Sequence, residues 1–376
     1  MIYLDNNSTT KIDQHVYHKQ CEVLNKFYGN PSSQYSLGVL GKSLINDARE
    51  QVASLINADI KNGDKLIFTS CATESNNTVL YSILQPMLFD KHVVTSVIEH
   101  PSIFIPAKWY EANGCKVTWV DVNTDGMINE EYLYSSLKNN TSLVSIMLVN
   151  NETGVINNLK RIVKIVKNIN DKILIHTDAV QGAGKIPIDV QDLGIDFLTL
   201  SGHKFHAPKG VGALFIKKGI PFVPMLLGGH QEFNIRAGTE NTASIVAMGE
   251  AAKIAKNKLD SGVIINIQLL KDELENLLST QFPNALIFGK NSPRVGNTIN
   301  VGFKDLDGDK LVLQLAKRDI FVSSGSACNS LSSEPSRVLT SMGIPYEYVR
   351  SIRISLSSAT TISDVEALIS ALVEIV

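Results

Sequence analysis

The chain has 376 residues, 44% of them hydrophobic, with 35 Lys and Arg against 37 Asp and Glu for a formal net charge of -2. That composition supports a large buried core and, by length, two domains; the balanced charge supplies no global field to draw the chain to nucleic acid or an anionic membrane. The opening MIYLDNNSTT lacks the basic and apolar regions of a secretory signal, and no apolar run approaches the roughly 20 residues that span a bilayer, so a cytoplasmic protein is expected. Cys21, Cys71, Cys115 and Cys328 stand far apart with no C-x-x-C pair, which argues against a zinc site and against a disulfide framework.

From about residue 64, short β-branched runs alternate with longer amphipathic segments. The runs are KLIFT (65–69), HVVTSV (92–97), KVTWV (116–120), LVSIMLV (143–149), ILIHT (173–177), DFLTL (196–200) and GALFI (212–216). Segments 73–88, 101–113, 129–138 and 157–169 carry helical spacing, as in Ile162, Val163, Ile165, Val166 and Ile169. The pattern predicts an α/β fold around a mostly parallel sheet. The connection SGHKFHAPKGV is too short for a helical crossover, so 196–200 and 212–216 are expected to pair antiparallel. A long helical stretch over 241–280 then leads to a different rhythm: GNTINVGF, a helix near 308–317, DIFVSSG, SIRISL and a terminal helix over 363–375. This reads as a smaller α+β domain, with a large domain over 13–255 and the small one built from 256–376 together with 1–12. No internal repeat is present.

In open parallel sheets, ligands bind beyond the carboxyl ends of the strands. The polar residues there are SCATESNN after the first run, His100 after the second, NNETG after the fourth, DAVQGAGK after the fifth and SGHK after the sixth. Ala72 and Thr73 open a helix whose N–H groups and dipole suit a phosphate. Asp178 places a carboxylate where it can keep a ring nitrogen protonated, with the Gln181 amide close behind. His100 can stack on a flat ring or carry a proton. Lys204, just past a buried strand, suits an amine that forms a Schiff base. Singly, each has an ordinary reading as a helix cap, an ion pair, a satisfied histidine or a solvated lysine. Together they are what a protein needs to hold pyridoxal 5'-phosphate (PLP) and direct its electron sink.

The ordered set YLDNNSTT (3–10), GNPSS (29–33), SCATESNN (70–77), EHPS (99–102), NNETG (150–154), HTDAVQ (176–181), SGHKFHAPKGVG (201–212), GGHQEFNIRAGTEN (228–241) and SSGSAC (323–328) resembles the PLP-dependent cysteine desulfurases of the NifS/IscS-like branch. The resemblance implies a fold-type I transferase with a seven-stranded, mostly parallel sheet. It also assigns roles: Lys204 as the Schiff-base lysine, His100 as ring stacker and proton carrier, Asp178 on the pyridine nitrogen, and Asn151 and Gln181 on the ring hydroxyl. Ala72, Thr73, Ser201 and His203 would hold the phosphate, with Thr239 reaching in from the second subunit of a homodimer. Arg353 would bind the substrate carboxylate, with Asn6 or Asn30 nearby.

Cys328 lies among small residues, in a setting suited to a mobile loop, and would act as a thiolate. The implied reaction converts L-cysteine to L-alanine and leaves the sulfur on Cys328 as a persulfide. An acceptor protein, an iron–sulfur scaffold or a tRNA-thiolation enzyme, would then take it. No metal and no direct nucleic acid partner are implied. A selenocysteine lyase or an aminotransferase of the same superfamily is the alternative, and a non-catalytic sulfur-carrier scaffold a remote one. Cys71 stands where many relatives have glycine, Ala207 replaces another glycine, and His230 and the Ser357-Ser358 pair also depart from the usual pattern. The chain stops at Val376 without the longer tail that some relatives use to engage an iron–sulfur scaffold, so the resemblance does not by itself imply that partner.

Overall fold

The computed structural model describes residues 1–85, 90–324 and 335–376. After β1 (Ile2–Tyr3), two helices that lie outside the predicted alternation, α1 (Gln14–Lys26) and α2 (Ser36–Leu55), precede the sheet. The alternation follows as β2 (Lys65–Thr69), α3 (Ala72–Leu84), β3 (His92–Ser96), α4 (Pro101–Ala112), β4 (Lys116–Val120), α5 (Glu130–Ser136), β5 (Thr141–Ser145), α6 (Leu159–Ile169), β6 (Leu174–Asp178), α7 (Val190–Leu193), β7 (Phe197–Ser201) and β8 (Gly212–Ile216). The helix expected over 73–88 ends at Leu84, and positions 86–88 lie outside the described residues.

These strands form one seven-stranded sheet in the order β2-β8-β7-β6-β5-β3-β4. Only β8 runs against its neighbours, pairing antiparallel with both β7 and β2, as the short connection from β7 requires. Helix α6 shows why its segment is helical: Leu159, Ile162, Val163 and Val166 are buried on one face, and Asn158 caps the start by accepting from the Arg161 N–H. Each large side chain buried in this way contributes roughly 1.5–3 kcal/mol.

The helical stretch expected over 241–280 is two helices. After α8 (Gln231–Asn234) come α9 (Thr242–Asp260) and α10 (Ile265–Gln281). Gly262 separates α9 from α10 with φ +71, a left-handed conformation that glycine adopts without steric cost and that stops a helix. The apolar periodicity continues on both sides of it, which is why spacing alone merges the two. Ala251, Ala252 and Ala255 of α9 pack into the core under the large sheet.

The remainder comprises β9 (Leu286–Ile287), β10 (Thr298–Gly302), α11 (Gly308–Ala316), β11 (Ile320–Phe321), β12 (Ser323–Ser324), α12 (Arg337–Ser341), β13 (Ile352–Ser355) and α13 (Ile362–Ile375). A four-stranded antiparallel sheet, β12-β13-β10-β9, buries Ile299, Val301, Ile352 and Ile354 in a second core with Leu274 and Leu368. The N-terminus joins it: β1 pairs with β11, and Leu4 is fully buried in that core. Residues 5–8 therefore cross from the small sheet toward the large one. Among the described residues, no helix is long and apolar enough to cross a membrane.

Candidate active site

The carboxyl ends of β2, β3, β5, β6 and β7 surround a cavity of about 350 Å³. Ala72, Thr73, His100, Asn151, Asp178, Gln181, Ser201, His203, Lys204 and Arg353 all line it. Strand polarity explains this convergence, since parallel strands place all their carboxyl ends on one edge.

Each group is held by its own local structure. Asp178 closes β6, nearly buried; its Oδ1 accepts from the Val180 N–H at 3.0 Å and its Oδ2 from Asn76 Nδ2 at 2.8 Å. Lys204 sits in a short 3-10 turn after β7, and its Nζ donates to the carbonyls of Asn7 (2.6 Å) and Ser8 (2.8 Å). The N-terminal crossing thus supplies a resting place for the amine. In NNETG, Asn150 Oδ1 accepts from the N–H groups of Glu152 and Thr153, forming the turn that carries Asn151 to the cavity. Arg353 is buried on β13; it donates to Asp5 Oδ1 at 2.8 Å, Ser8 Oγ at 2.7 Å and the Asn151 carbonyl at 3.1 Å.

Helix α3 begins at the cavity edge with Cys71 at its N-cap, whose side chain makes no capping bond. Glu74 reaches back to the Ser70 N–H at 2.8 Å and is held by Arg236, which ties the GGHQEFNIRAGTEN segment to the same turn. β8 passes close behind: a Cβ on Gly212 would stand 2.8 Å from the Cys71 carbonyl carbon, so only glycine fits there. The N–H groups at this helix start, the Thr73 hydroxyl, Ser201 and His203 make an anion cradle. An amine, a buried carboxylate and that cradle around one cavity fit the aldehyde, ring nitrogen and phosphate of PLP.

Burial lowers the pKa of both histidines at the cavity. His100 caps α4, and desolvation holds its pKa below the ordinary value despite the opposing pull of Asp178; Lys204 and Arg337 push the same way as burial. His203 is lowered to about 4, chiefly by burial and then by Lys204 and Lys209, while its Nδ1 lies 3.1 Å from Thr9 Oγ1.

Next to His100, Glu99 is 1% exposed and accepts from Ser96 Oγ at 2.6 Å and the Met147 N–H at 2.9 Å. Burial, first of all, raises its pKa to about 8. Between the ordinary carboxylate range and about pH 8 the unfolded chain has released this proton and the folded one has not, so stability falls as pH rises through that window. Glu99→Gln is expected to flatten this slope, gaining on the order of a few kcal/mol at alkaline pH relative to acid, as read by chemical denaturation at several pH values.

Three of the sequence candidates stand elsewhere. Asn6 does not line this cavity: its Nδ2 donates to the Ser355 carbonyl at 2.9 Å, stitching the N-terminus to β13, and the next residue, Asn7, faces the site instead. Asn30 is exposed, with Oδ1 accepting from the Ser32 N–H in the GNPSS turn. Thr239 is exposed on the segment before α9 and is absent from the cavity wall of its own chain. Cys328 and residues 325–327 of SSGSAC lie outside the described residues. Cys71 is half-buried at the cavity, Cys21 is exposed and Cys115 is buried.

Several site residues are absent from the sequence reading. Asn7 and Ser8 contribute backbone carbonyls, which no residue type announces. Lys185 donates to Gln181 Oε1 at 2.5 Å and Asn7 Oδ1 at 3.0 Å, fixing the amide so that Gln181 Nε2 faces the Asn7 carbonyl at 2.9 Å. Its i+4 spacing from Gln181 in DAVQGAGK is the signal that could have found it.

The family model for aminotransferase class-V matches residues 2–368. A cysteine desulfurase from a Nostoc species is 43% identical over all of this chain and 93% of its own. A cysteine desulfurase IscS from Methanosarcina thermophila is 39% identical over all of this chain and 92% of its own. The solved structure of a NifS-like protein from Rickettsia africae superposes with a TM-score of 0.89 at 36% identity, covering all of this chain and 99% of that one. With its Lys204, Asp178 and helix-start cradle gathered at one sheet edge, the chain belongs to the aminotransferase class-V family, among its PLP-dependent cysteine desulfurases.

Proposed function

We propose that this enzyme takes sulfur from L-cysteine, leaves L-alanine, and stores the sulfur on Cys328 as a persulfide for delivery to an acceptor protein. The observation that carries this reading is the convergence of Lys204, Asp178, His100 and Arg353 on one cavity. PLP, when bound, supplies an electron sink for the carbon atoms of the substrate.

The chain's own residues do the rest. Asp178, kept in place by Asn76 and the Val180 N–H, is the anion for the ring nitrogen. Asn151 and Gln181 would serve the ring hydroxyl, and Thr73, Ser201, His203 and the N–H of Ala72 would hold the phosphate. Arg353 binds the substrate carboxylate. Lys204, which would hold the cofactor, has the Asn7 and Ser8 carbonyls as its support and would move the substrate's α-proton at Nζ. The Cys328 thiolate attacks the substrate sulfur: an S–S bond forms, the C–S bond breaks with its electron pair remaining on carbon, and a proton then completes alanine. The sum is one thiol plus one cysteine giving one persulfide plus one alanine.

In a homodimer, Thr239 on its exposed segment would complete the phosphate cradle of the second subunit. The acceptor is an iron–sulfur scaffold or a tRNA-thiolation enzyme. The direct test is product stoichiometry: with a reductant present, L-cysteine should yield alanine and sulfide in equal amounts. Accumulation of the pyridoxamine form without sulfide would instead make the protein an aminotransferase.

Arg353→Ala is expected to raise KM for cysteine by about 10- to 100-fold with a smaller fall in kcat, since it removes a charged hydrogen bond made to the ground state and the transition state alike. Arg353→Lys should recover only part of this, because an ammonium lacks the forked geometry. Steady-state kinetics check both; an unchanged KM would remove Arg353 from the substrate site.

A further inference from the structure

We propose that Asn76 and Ser102 are positioning residues that fix which nitrogen of His100 carries the proton and tie that ring to Asp178. The proposal deepens the functional reading above, on which its effect on rate rests.

Donor and acceptor counting gives the direction of every bond. Asn76 Nδ2 lies 2.8 Å from Asp178 Oδ2, and a carboxylate oxygen only accepts, so the Asn76 amide cannot be turned the other way. The same Nδ2 has a second hydrogen, directed to Ser102 Oγ at 2.8 Å. Ser102 Oγ, which keeps one hydrogen and a second lone pair, lies 2.8 Å from His100 Nδ1. The Ser102 backbone N–H, which can only donate, also faces that Nδ1 at 3.2 Å. Nδ1 therefore accepts, the Ser102 hydroxyl donates to it, and whenever the ring is neutral its proton sits on Nε2.

Asn76 is fully buried, and Ser102 and Asp178 are at most 5% exposed, so no solvent competes for these bonds. In the sequence, the four residues come from three separate segments, SCATESNN, EHPS and HTDAVQ. The arrangement makes His100 a donor at Nε2. Protonating Nδ1 requires the Ser102 hydroxyl hydrogen to turn away and takes the acceptor from the Ser102 backbone N–H. Among the described residues, the charged groups that act on His100 are Asp178, which favours its cation, and Lys204 and Arg337, which oppose it.

The sign of one shift tests this. In the PLP-loaded enzyme labelled with nitrogen-15 histidine, NMR should show His100 protonated on Nε2 and hydrogen-bonded at Nδ1. Removing a hydroxyl that donates to Nδ1 withdraws support from the neutral ring, so in Ser102→Ala the His100 midpoint should rise by up to about one pH unit. Ser102→Thr should restore it, and Asn76→Ala should give a smaller rise of the same sign. In Ser102→Ala the acid limb of the kcat/KM profile should move with the midpoint while the alkaline plateau holds.

A fall in the midpoint in Ser102→Ala would mean that His100 donates to Ser102, and no change would mean that the hydroxyl plays no part; either result overturns the proposal. Because the NMR titration does not need turnover, an enzyme that showed these shifts yet released no sulfide from cysteine would support the relay and sink the desulfurase reading.

Discussion

Lys204→Ala is expected to lower alanine and sulfide release from L-cysteine by at least about 10³-fold, since in the proposed mechanism one amine would both anchor the cofactor and move the substrate's α-proton. Neither role has a substitute nearby. Lys185 is the neighbouring amine, but its Nζ is held by Gln181 Oε1 and Asn7 Oδ1. In the variant, PLP should still bind through Asp178 and the phosphate cradle, yet remain removable by dialysis and show the absorbance of the unlinked aldehyde. Lys204→Arg, which keeps a cation but not the nucleophile, should be equally inactive. Residual activity above about a tenth of the wild type in either variant would show that another group carries the proton, and Lys204 would lose its role.

Cys328→Ser is the second large effect. A serine hydroxyl is not ionised at neutral pH and is a poor acceptor for sulfur, so persulfide formation and sulfide release should fall by at least about 10²-fold. The cofactor spectrum and the first response to added cysteine should be unchanged, since Arg353 and Lys204 remain. That separation of binding from transfer distinguishes a nucleophile from a structural thiol. Cys71 is the necessary control, because it is half-buried at the cavity beside the anion cradle. Cys71→Ser should retain most of the activity. If Cys71→Ser failed to accumulate protein-bound persulfide while Cys328→Ser still did, the nucleophile would be Cys71.

Much of the large sheet is legible in the sequence because β-branched runs and amphipathic segments are local signals with different periods. The antiparallel entry of β8 follows from connection length alone. The joined helix over 241–280 was not separable, since the break at Gly262 depends on a backbone angle and not on any interruption of apolar spacing. The strand expected over 143–149 closes at Ser145, although Ile146 and Leu148 continue to donate to carbonyls of β6 beyond it. α1 and α2 carry no run that alternation would detect.

The candidate site divides in the same way. Asp178, Lys204, His100, Thr73 and Ser201 follow apolar runs directly, so strand polarity brings them to one edge once the sheet is parallel. Asn6 and Asn7 show the limit of that reasoning. They are adjacent, identical and both nearly buried, yet one faces Ser355 and the other the cavity. Their choice depends on how β1 pairs with β11, a contact between residues more than 300 positions apart.

The sequence by itself determined the α/β class and the edge of the sheet where the candidate amine and carboxylate, Lys204 and Asp178, meet, because each is written in a local pattern or a single residue type. Only the tertiary structure decided which partners hold those groups. The carbonyls under Lys204, the Asp5 carboxylate on Arg353 and the Asn76–Ser102 chain to His100 come from segments distant along the chain. Hydrogen bonds are directional and act only over about 3 Å, so which atoms meet depends on how the two sheets and the N-terminus pack together.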